Sequence, residues 1–330
     1  MKILIAGLGS IGRRHLRNLQ ALGQQDILLY RTHHSTLTDG ELAGFPVETN
    51  LEAALEQQPD AVIVSNPTAL HLHVAQPAAE RGIHLFLEKP ISHNLAGIAE
   101  FRQAVQRGGS RVLVGYQFRF HPGLRRVKVL LEDGALGESL SVRAHWGEYL
   151  PGWHPWEDYR QSYSARPDLG GGVILTLSHP LDYLRSLLGE VESLWAFTSN
   201  HSDLDILVED TAEIGLQFAN GVVGSVHLDY IQRPAAHWLE VIGTHGTLRW
   251  EYASGGVRLF RAGDEDWQHF PAPPGFERNQ LFLKQMRHFL ALVGDGIEPV
   301  CSLQDGIRAL ELALAAHTSA RESRLVRFST

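Results

Sequence analysis

Short apolar runs alternate with amphipathic stretches through the first third of the chain. Lys2–Ala6, Ile27–Tyr30, Ala61–Val64, His84–Leu87 and Arg111–Gly115 read as strands. They are too short for helices, and they are apolar at nearly consecutive positions rather than alternate ones, as in strands buried on both faces. Between them, Ile11–Leu22, Leu51–Gln57, Leu70–Arg81 and Leu95–Gln106 carry apolar residues at helical spacing. Such alternation predicts an α/β domain of Rossmann type, a doubly wound parallel sheet with helices on both faces.

The pattern changes after Pro122. A helix around Gly123–Leu131 leads into longer strands whose polarity alternates: Ser139–Tyr149, Val191–Asn200, Thr211–Ala219 and Val222–Ile231. Asn220-Gly221 predicts a tight turn with positive φ at both residues, which makes the flanking strands antiparallel neighbours. Trp238–Gly243, Thr247–Glu251 and Gly256–Arg261 follow as strands, and Asn279–Val293 and Leu303–Ala320 as helices. The expected organisation is a dinucleotide-binding Rossmann domain over residues 1–120. A C-terminal α+β domain for substrate binding and oligomerisation, with a mainly antiparallel open sheet, is expected over 121–330.

A chain of 330 residues suits two cores better than one. No apolar run approaches the roughly 18–20 residues of a membrane span. A strand beginning at Lys2 leaves no room for a signal peptide. The single cysteine, Cys301, excludes an intrachain disulfide and suits a reducing compartment, so a cytoplasmic protein is expected. Net charge is −8 and no block of Lys or Arg stands out, which argues against nucleic acid as a partner.

Gly7-Leu8-Gly9-Ser10-Ile11-Gly12 follows the first strand and opens the first helix. Gly7 permits the turn, Gly9 lets backbone approach a pyrophosphate, and Gly12 lets helix and strand pack closely. The N–H groups of Ser10 and Ile11 then face the phosphates. At the end of the second strand, where an acid would hold a ribose 2′-hydroxyl, stand Arg31, Thr32 and Ser35. Arg31 can pair with a 2′-phosphate, and Thr32 or Ser35 offers a hydroxyl, so NADP is preferred over NAD.

Glu88-Lys89-Pro90 follows the strand His84–Leu87, at the carboxyl edge where such sheets bind ligands. With these motifs the chain resembles the glucose–fructose oxidoreductase / inositol dehydrogenase / rhizopine-catabolism (Gfo/Idh/MocA) family, whose hallmark is this Glu-Lys-Pro. The resemblance extends to Asn66-Pro67-Thr68-Ala69-Leu70-His71, similar to the family's segment beside the nicotinamide ribose. It extends also to Gly115-Tyr116-Gln117-Phe118-Arg119-Phe120, with Gln117 in the amide position, and to the tail helices with Asp305-Gly306. It implies that Asn66, Pro67, Thr68, His71, Glu88, Lys89 and Gln117 line the cofactor.

The family's second catalytic element follows a triple glycine, here Gly170-Gly171-Gly172, and His179 and Asp182 match its His-x-x-Asp. The resemblance implies Lys89, His179 and Asp182 as catalytic residues, with Thr176 where the family usually has an acid. Asp182, three residues on from His179, could orient the ring on one helical face. Pro180 requires that the helix begin near Ser178 or kink there. The alternative for His179 is a satisfied interior histidine.

Trp153, Tyr159, Tyr163 and Arg166 form an aromatic and basic stretch that could stack on a sugar and hold an acidic group. A loop packing its own aromatics is the alternative. Metal binding is not expected. The rings of His71 and His73 point to different sides of a helix, and His33-His34 has no acid at ligand spacing.

The expected activity is reversible hydride transfer between NADP or NAD and a secondary hydroxyl or keto carbon of a sugar, sugar acid, polyol or nucleotide sugar. Alternatives are a redox-neutral epimerase or glycoside-cleaving enzyme that retains its cofactor, and a non-catalytic regulatory protein. The resemblance implies a homodimer or homotetramer through the open sheet face. The alternation in Val222–Ile231 motivates this, since both faces carry apolar residues such as Val223, Val226 and Leu228.

Overall fold

The computed structural model describes residues 1–32 and 40–328. Ser35, His33 and His34 therefore lie outside the described residues.

The chain forms two compact units, each assembled from separated stretches. One comprises Met1–Gln117, Asp168–Gly170 and Arg278–Leu310. The other comprises Phe118–Pro167, Gly171–Glu277 and Glu311–Thr330. In chain order, the first contains β1 (Ile3–Ala6), α1 (Ser10–Ala21), β2 (Ile27–Tyr30), β3 (Val47–Glu48), α2 (Leu51–Glu56), β4 (Ala61–Val64), α3 (His71–Glu80), β5 (His84–Leu87), α4 (Ile98–Gly108) and β6 (Val112–Val114). Its strands are all parallel, in the order β3-β2-β1-β4-β5-β6. That is the doubly wound Rossmann order, in which the direction of winding reverses between β1 and β4. β1 and β4 are completely buried, as strands covered by helices on both faces must be. The helix expected from Leu95 begins at Ile98, because Gly97 takes a left-handed conformation (φ +77°) that closes the preceding turn.

The second unit begins with α5 (Pro122–Glu132). Pro122 sits in its first turn, and the His121 ring caps it by accepting the Gly123 N–H at 3.0 Å. Then follow β7 (Ser139–Gly147), α6 (Val173–Thr176), α7 (His179–Leu188), β8 (Val191–Ser199), β9 (Thr211–Phe218), β10 (Val223–Asp229), β11 (Ala236–Gly243), β12 (Gly246–Glu251), β13 (Val257–Arg261) and β14 (Gln268–Phe270). The tail helix α8 (Asn279–Gly294) belongs to the first unit, where Asn279 Nδ2 donates to Asn18 Oδ1 of α1 at 2.9 Å. The division between units falls within α9 (Leu303–Glu322), and β15 (Val326–Arg327) is the last element among the described residues. The second sheet runs β14-β13-β12-β11-β7-β10-β9-β8-β15 and is antiparallel except for the β10/β7 pair. It is the open, mainly antiparallel sheet expected.

One local expectation changes. Asn220 does not have positive φ; only Gly221 does (φ +88°). The Gly221 N–H donates to the Phe218 carbonyl and the Phe218 N–H to the Val222 carbonyl, so a type I turn closed by a left-handed glycine joins β9 to β10. Val226 and Leu228 are fully buried on the helix-covered face, whereas Val223 is exposed. On β10 the outward positions are thus Val223, Ser225, His227 and Asp229, as a period of two requires. On β8 of the open face, Trp195 and Phe197 meet edge to face at 4.7 Å and are exposed.

Candidate active site

The loops leaving β1 and β4 meet where the winding reverses. Gly7 has φ +94°, and a Cβ there would lie 2.6 Å from the Ser65 carbonyl carbon. Gly12 lies against the same turn: a Cβ would collide with the Gly7 carbonyl and come within 2.8 Å of Ser65 Oγ. Ser65 Oγ in turn donates to the carbonyls of Ala6 (3.2 Å) and Gly7 (2.9 Å). Gly9 differs: a Cβ would meet nothing within 4 Å, and as the N-cap of α1 it supplies no capping side chain. An uncapped helix start facing open space fits a dinucleotide pyrophosphate. Arg31 follows β2, its N–H donating to the Glu48 carbonyl. Its side chain is mostly buried, while Thr32 is exposed.

Asn66, Pro67 and Thr68 form the next loop, with Asn66 Nδ2 donating to the Leu70 carbonyl at 3.0 Å. Thr68 is buried, and a Cβ on Gly170 would lie 3.1 Å from its Cβ, so a larger side chain at 68 has little room. His71 ties two ligand-side loops together. Its Nδ1 is 2.9 Å from the Pro90 carbonyl and its Nε2 is 3.0 Å from the Asn66 carbonyl. Burial pushes its pKa below the ordinary value, against the pull of Glu88 and the two carbonyls.

Glu88 is buried and committed at both oxygens. Oε1 is 2.7 Å from His15 Nε2 on α1, and Oε2 accepts the Lys89 N–H at 3.2 Å. Burial pushes its carboxyl up, but the hydrogen bond and charge of His15 and the charge of Lys89 outweigh this and hold it below its ordinary value. Gly115 leaves space for this carboxylate, since a Cβ there would lie 2.8 Å from Oε2. Lys89 precedes Pro90 across a cis peptide bond. Gln117 is buried one turn beyond β6. Sequence reasoning missed His15; its signal was a polar residue on the apolar face of α1, beside Gly12, Leu16 and Leu19.

In the second unit, Gly171 and Gly172 lead into α6. A Cβ on Gly172, at φ +108°, would collide with the Glu209 carboxylate. Glu209 holds the helix start: its Oε1 accepts from the Ile174 N–H at 3.1 Å and lies 3.0 Å from His317 Nε2, and its carbonyl accepts from the Val173 N–H. α6 ends at Thr176 and α7 starts at His179 with Pro180 in its first turn, so the chain restarts a helix rather than kinking one. His179 is buried, with Phe118 edge-on at 4.8 Å and Trp146 at 5.4 Å. Asp182, fully buried, accepts a bidentate pair from Arg119: Nε to Oδ2 at 2.9 Å and Nη2 to Oδ1 at 2.7 Å. Thr176 is buried beside the Tyr230 phenol, which donates to the Ser164 carbonyl at 3.3 Å and whose pKa burial raises well above its ordinary value. Glu209 also escaped sequence reasoning, as did the pairing of Arg119 with Asp182, since neither residue stands at helical spacing from its partner.

The aromatic stretch divides. Trp153 packs edge-on against Tyr230 at 5.6 Å, and the Tyr159 hydroxyl donates to the Leu204 carbonyl at 2.8 Å. Tyr163 and Arg166 are exposed.

Residues 1–116 match the family model described as "Oxidoreductase family, NAD-binding Rossmann fold", and residues 124–249 match the "GFO/IDH/MocA C-terminal domain". The chain belongs to the GFO/IDH/MocA oxidoreductase family. It is an enzyme of that oxidoreductase class, and its first unit carries an NAD-binding Rossmann fold. A myo-inositol 2-dehydrogenase of Thermotoga maritima is 28% identical over 99% of this chain and 98% of its own length. A 2,7-anhydro-N-acetylneuraminate hydratase of Mediterraneibacter gnavus is 27% identical over 68% of this chain and 59% of its own. The structure of a levoglucosan dehydrogenase in complex with NADH and levoglucosan aligns over all of both chains with a TM-score of 0.87 at 20% identity, which shows the shared fold. Among the described residues no helix is long and apolar enough to cross a membrane.

Proposed function

We propose that this chain is an NAD(P)-dependent dehydrogenase or reductase acting on a secondary hydroxyl or keto carbon of a sugar, sugar acid, polyol or nucleotide sugar. The observation that carries the reading is the placing of Lys89 in the parallel sheet that presents the Gly7–Gly12 turn. Lys89 leaves the carboxyl end of β5, one strand from β4, with its backbone N–H bonded to a buried carboxylate. Bound nicotinamide would supply the hydride acceptor for oxidation and the donor for reduction. Lys89 donates a hydrogen bond to the reacting oxygen, and His179 accepts the hydroxyl proton in oxidation and returns it in reduction. Gly9, Ser10, Ile11 and Gly12 cradle the pyrophosphate, and Asn66, Pro67, Thr68 and Gln117 border the cofactor. NADP is preferred because the only described residues at the end of β2, Arg31 and Thr32, include no acid for a ribose hydroxyl. Tyr163 and Arg166 are the exposed members of the substrate set. A homodimer or homotetramer is supported by Trp195 and Phe197 on the open sheet face.

A substrate screen following the absorbance of reduced cofactor tests the reading. Turnover should appear with a polyol, sugar or sugar acid. Lys89→Ala should remove most of it while leaving cofactor affinity within a few-fold. His179→Asn should cost on the order of 10²–10⁴ in rate and remove the acidic limb of the pH–rate profile. Wild-type kcat in Lys89→Ala would overturn the assignment. A redox-neutral reaction with retained cofactor is the second reading, favoured by the similarity to a hydratase. Product formation without change in free NAD(P)H would establish it.

A further inference from the structure

On the open face of the second sheet, Glu213, His227, His145 and Trp238 occupy one rung across β9, β10, β7 and β11. Adjacent strands lie about 4.8 Å apart. The two imidazoles accordingly stack, with centroids 4.6 Å apart and planes 12° apart, and Trp238 stacks on His145 at 5.3 Å. Asp229 lies two residues beyond His227 on the same face, and its partner on β7 is Gly147. Gly147 is not in the left-handed region, so its backbone does not require glycine. Its space does: a Cβ there would collide with both Asp229 Oδ2 and Gln232 Oε1. The N–H groups of Ile231 (2.8 Å) and Gln232 (2.7 Å) hold Asp229 Oδ1, which leaves Oδ2 facing His227 Nε2 at 2.9 Å. Gln232 Oε1 is 2.5 Å from His145 Nε2.

We propose that His145, His227 and Asp229 bind a divalent late first-row transition ion, for which Zn²⁺ and Co²⁺ are the probes, with Gln232 Oε1 or water as fourth ligand. The two imidazoles and the carboxylate each offer one ligand atom, all within 4.8 Å of one another. A tetrahedral ion with bonds of about 2.0–2.2 Å needs its ligands about 3.4 Å apart, so closure requires the two imidazoles to turn out of their stack until both in-plane lone pairs meet at the ion. Two nitrogen donors disfavour Mg²⁺ and Ca²⁺, which prefer all-oxygen sets. Glu213 Oε1, 2.5 Å from His227 Nδ1, accepts that N–H and turns the Nε2 lone pair toward the ion. The rival is an ion cluster of Glu213, His227 and Asp229 alone, which requires neither His145 nor metal affinity.

Isothermal titration of chelator-stripped full-length protein with Zn²⁺, together with the visible absorption of bound Co²⁺, distinguishes the two. One ion per chain is expected, with tetrahedral Co²⁺ bands. His145→Ala and His227→Ala should each weaken binding by at least about tenfold, and Glu213→Gln by about tenfold through ring orientation alone. Gly147→Ala keeps every ligand and should also weaken binding, because its methyl group takes the space of the two oxygens. His73→Gln, at an exposed histidine of α3, should change nothing and controls for a chain with 18 histidines. If His227→Ala does not fold, His145→Ala and Gly147→Ala decide. Absence of stoichiometric uptake of either ion, or uptake that survives both His145→Ala and Gly147→Ala, would overturn the site.

Discussion

His15→Ala removes the side chain that holds Glu88, and its cost can be worked from the structure. The His15 side chain is 1% exposed and that of Glu88 11%, so the 2.7 Å contact is screened little by solvent. Removing one member of a buried pair costs about 3–5 kcal/mol, mostly because the other charge stays buried. Lys89 still supplies an N–H and a positive charge to this carboxylate, which places the expected loss near the lower end, about 3 kcal/mol. For a unit of this size that is roughly 6–12 °C in Tm. His15→Gln, which can still donate, should cost about 1 kcal/mol. The folded-state pKa of Glu88 is depressed, so its stabilisation is fully present above the unfolded pKa and is lost as pH falls through the folded one. The gap between wild type and His15→Ala in calorimetry should therefore be full at pH 7 and shrink below about pH 4. Because Glu88 also holds the Lys89 backbone, kcat should fall more than cofactor affinity. A gap under 1 °C, or one that is independent of pH, would refute the pairing as a source of stability.

Arg31→Asp should shift preference from NADP toward NAD, measured as the ratio of the two dissociation constants; a wild type that already binds NAD more tightly would contradict the reading of Arg31. Gly12→Ala should destabilise the first unit by about 1–3 kcal/mol and weaken cofactor binding, since its methyl group meets the Gly7 carbonyl; unchanged cofactor affinity would separate this contact from the cofactor turn. Arg119→Lys keeps the charge but loses the two-pronged bond to Asp182, and should lower kcat and Tm together; wild-type values for both would make the bidentate geometry dispensable.

The Rossmann half was legible because its signals are local. Runs such as Ala61–Val64 are apolar at consecutive positions, and the glycines stand where turn and helix must meet. β3 escaped notice because it has two residues, one of them the exposed Val47, and no periodicity can be read from two. β14 and β15 were missed for the same reason of length. The Asn220 conformation was misread because Asn-Gly is compatible with more than one turn, and strand register decides between them. The site's supporting pairs were beyond local reading altogether. His15 and Glu88 are 73 residues apart and Arg119 and Asp182 are 63 apart, and only the fold brings them together. The His145–His227 rung is of the same kind, since it depends on the one parallel pairing in an otherwise antiparallel sheet.

Two buried carboxylates, one in each unit, share one design. Glu88 is held by His15 and the Lys89 backbone, and Asp182 by both prongs of Arg119. Each is fixed in place by two hydrogen bonds, which suits it to positioning its neighbours. Sequence spacing suggested Asp182 as the group that orients His179. The geometry supports a broader part, in which the Arg119–Asp182 pair anchors the first turn of α7, on which His179 sits. The two roles separate in a double-mutant cycle. If Asp182 acts through its bond to Arg119, Asp182→Asn and Arg119→Lys should each reduce kcat, and the combined variant should lose little more than either alone. If Asp182 acts on the His179 ring independently of Arg119, the two losses should multiply. Thr176 fits the same logic: buried beside the Tyr230 phenol, its hydroxyl adds no buried charge. That leaves His179 as the group for which proton exchange is proposed, with Lys89 as hydrogen-bond donor to the reacting oxygen.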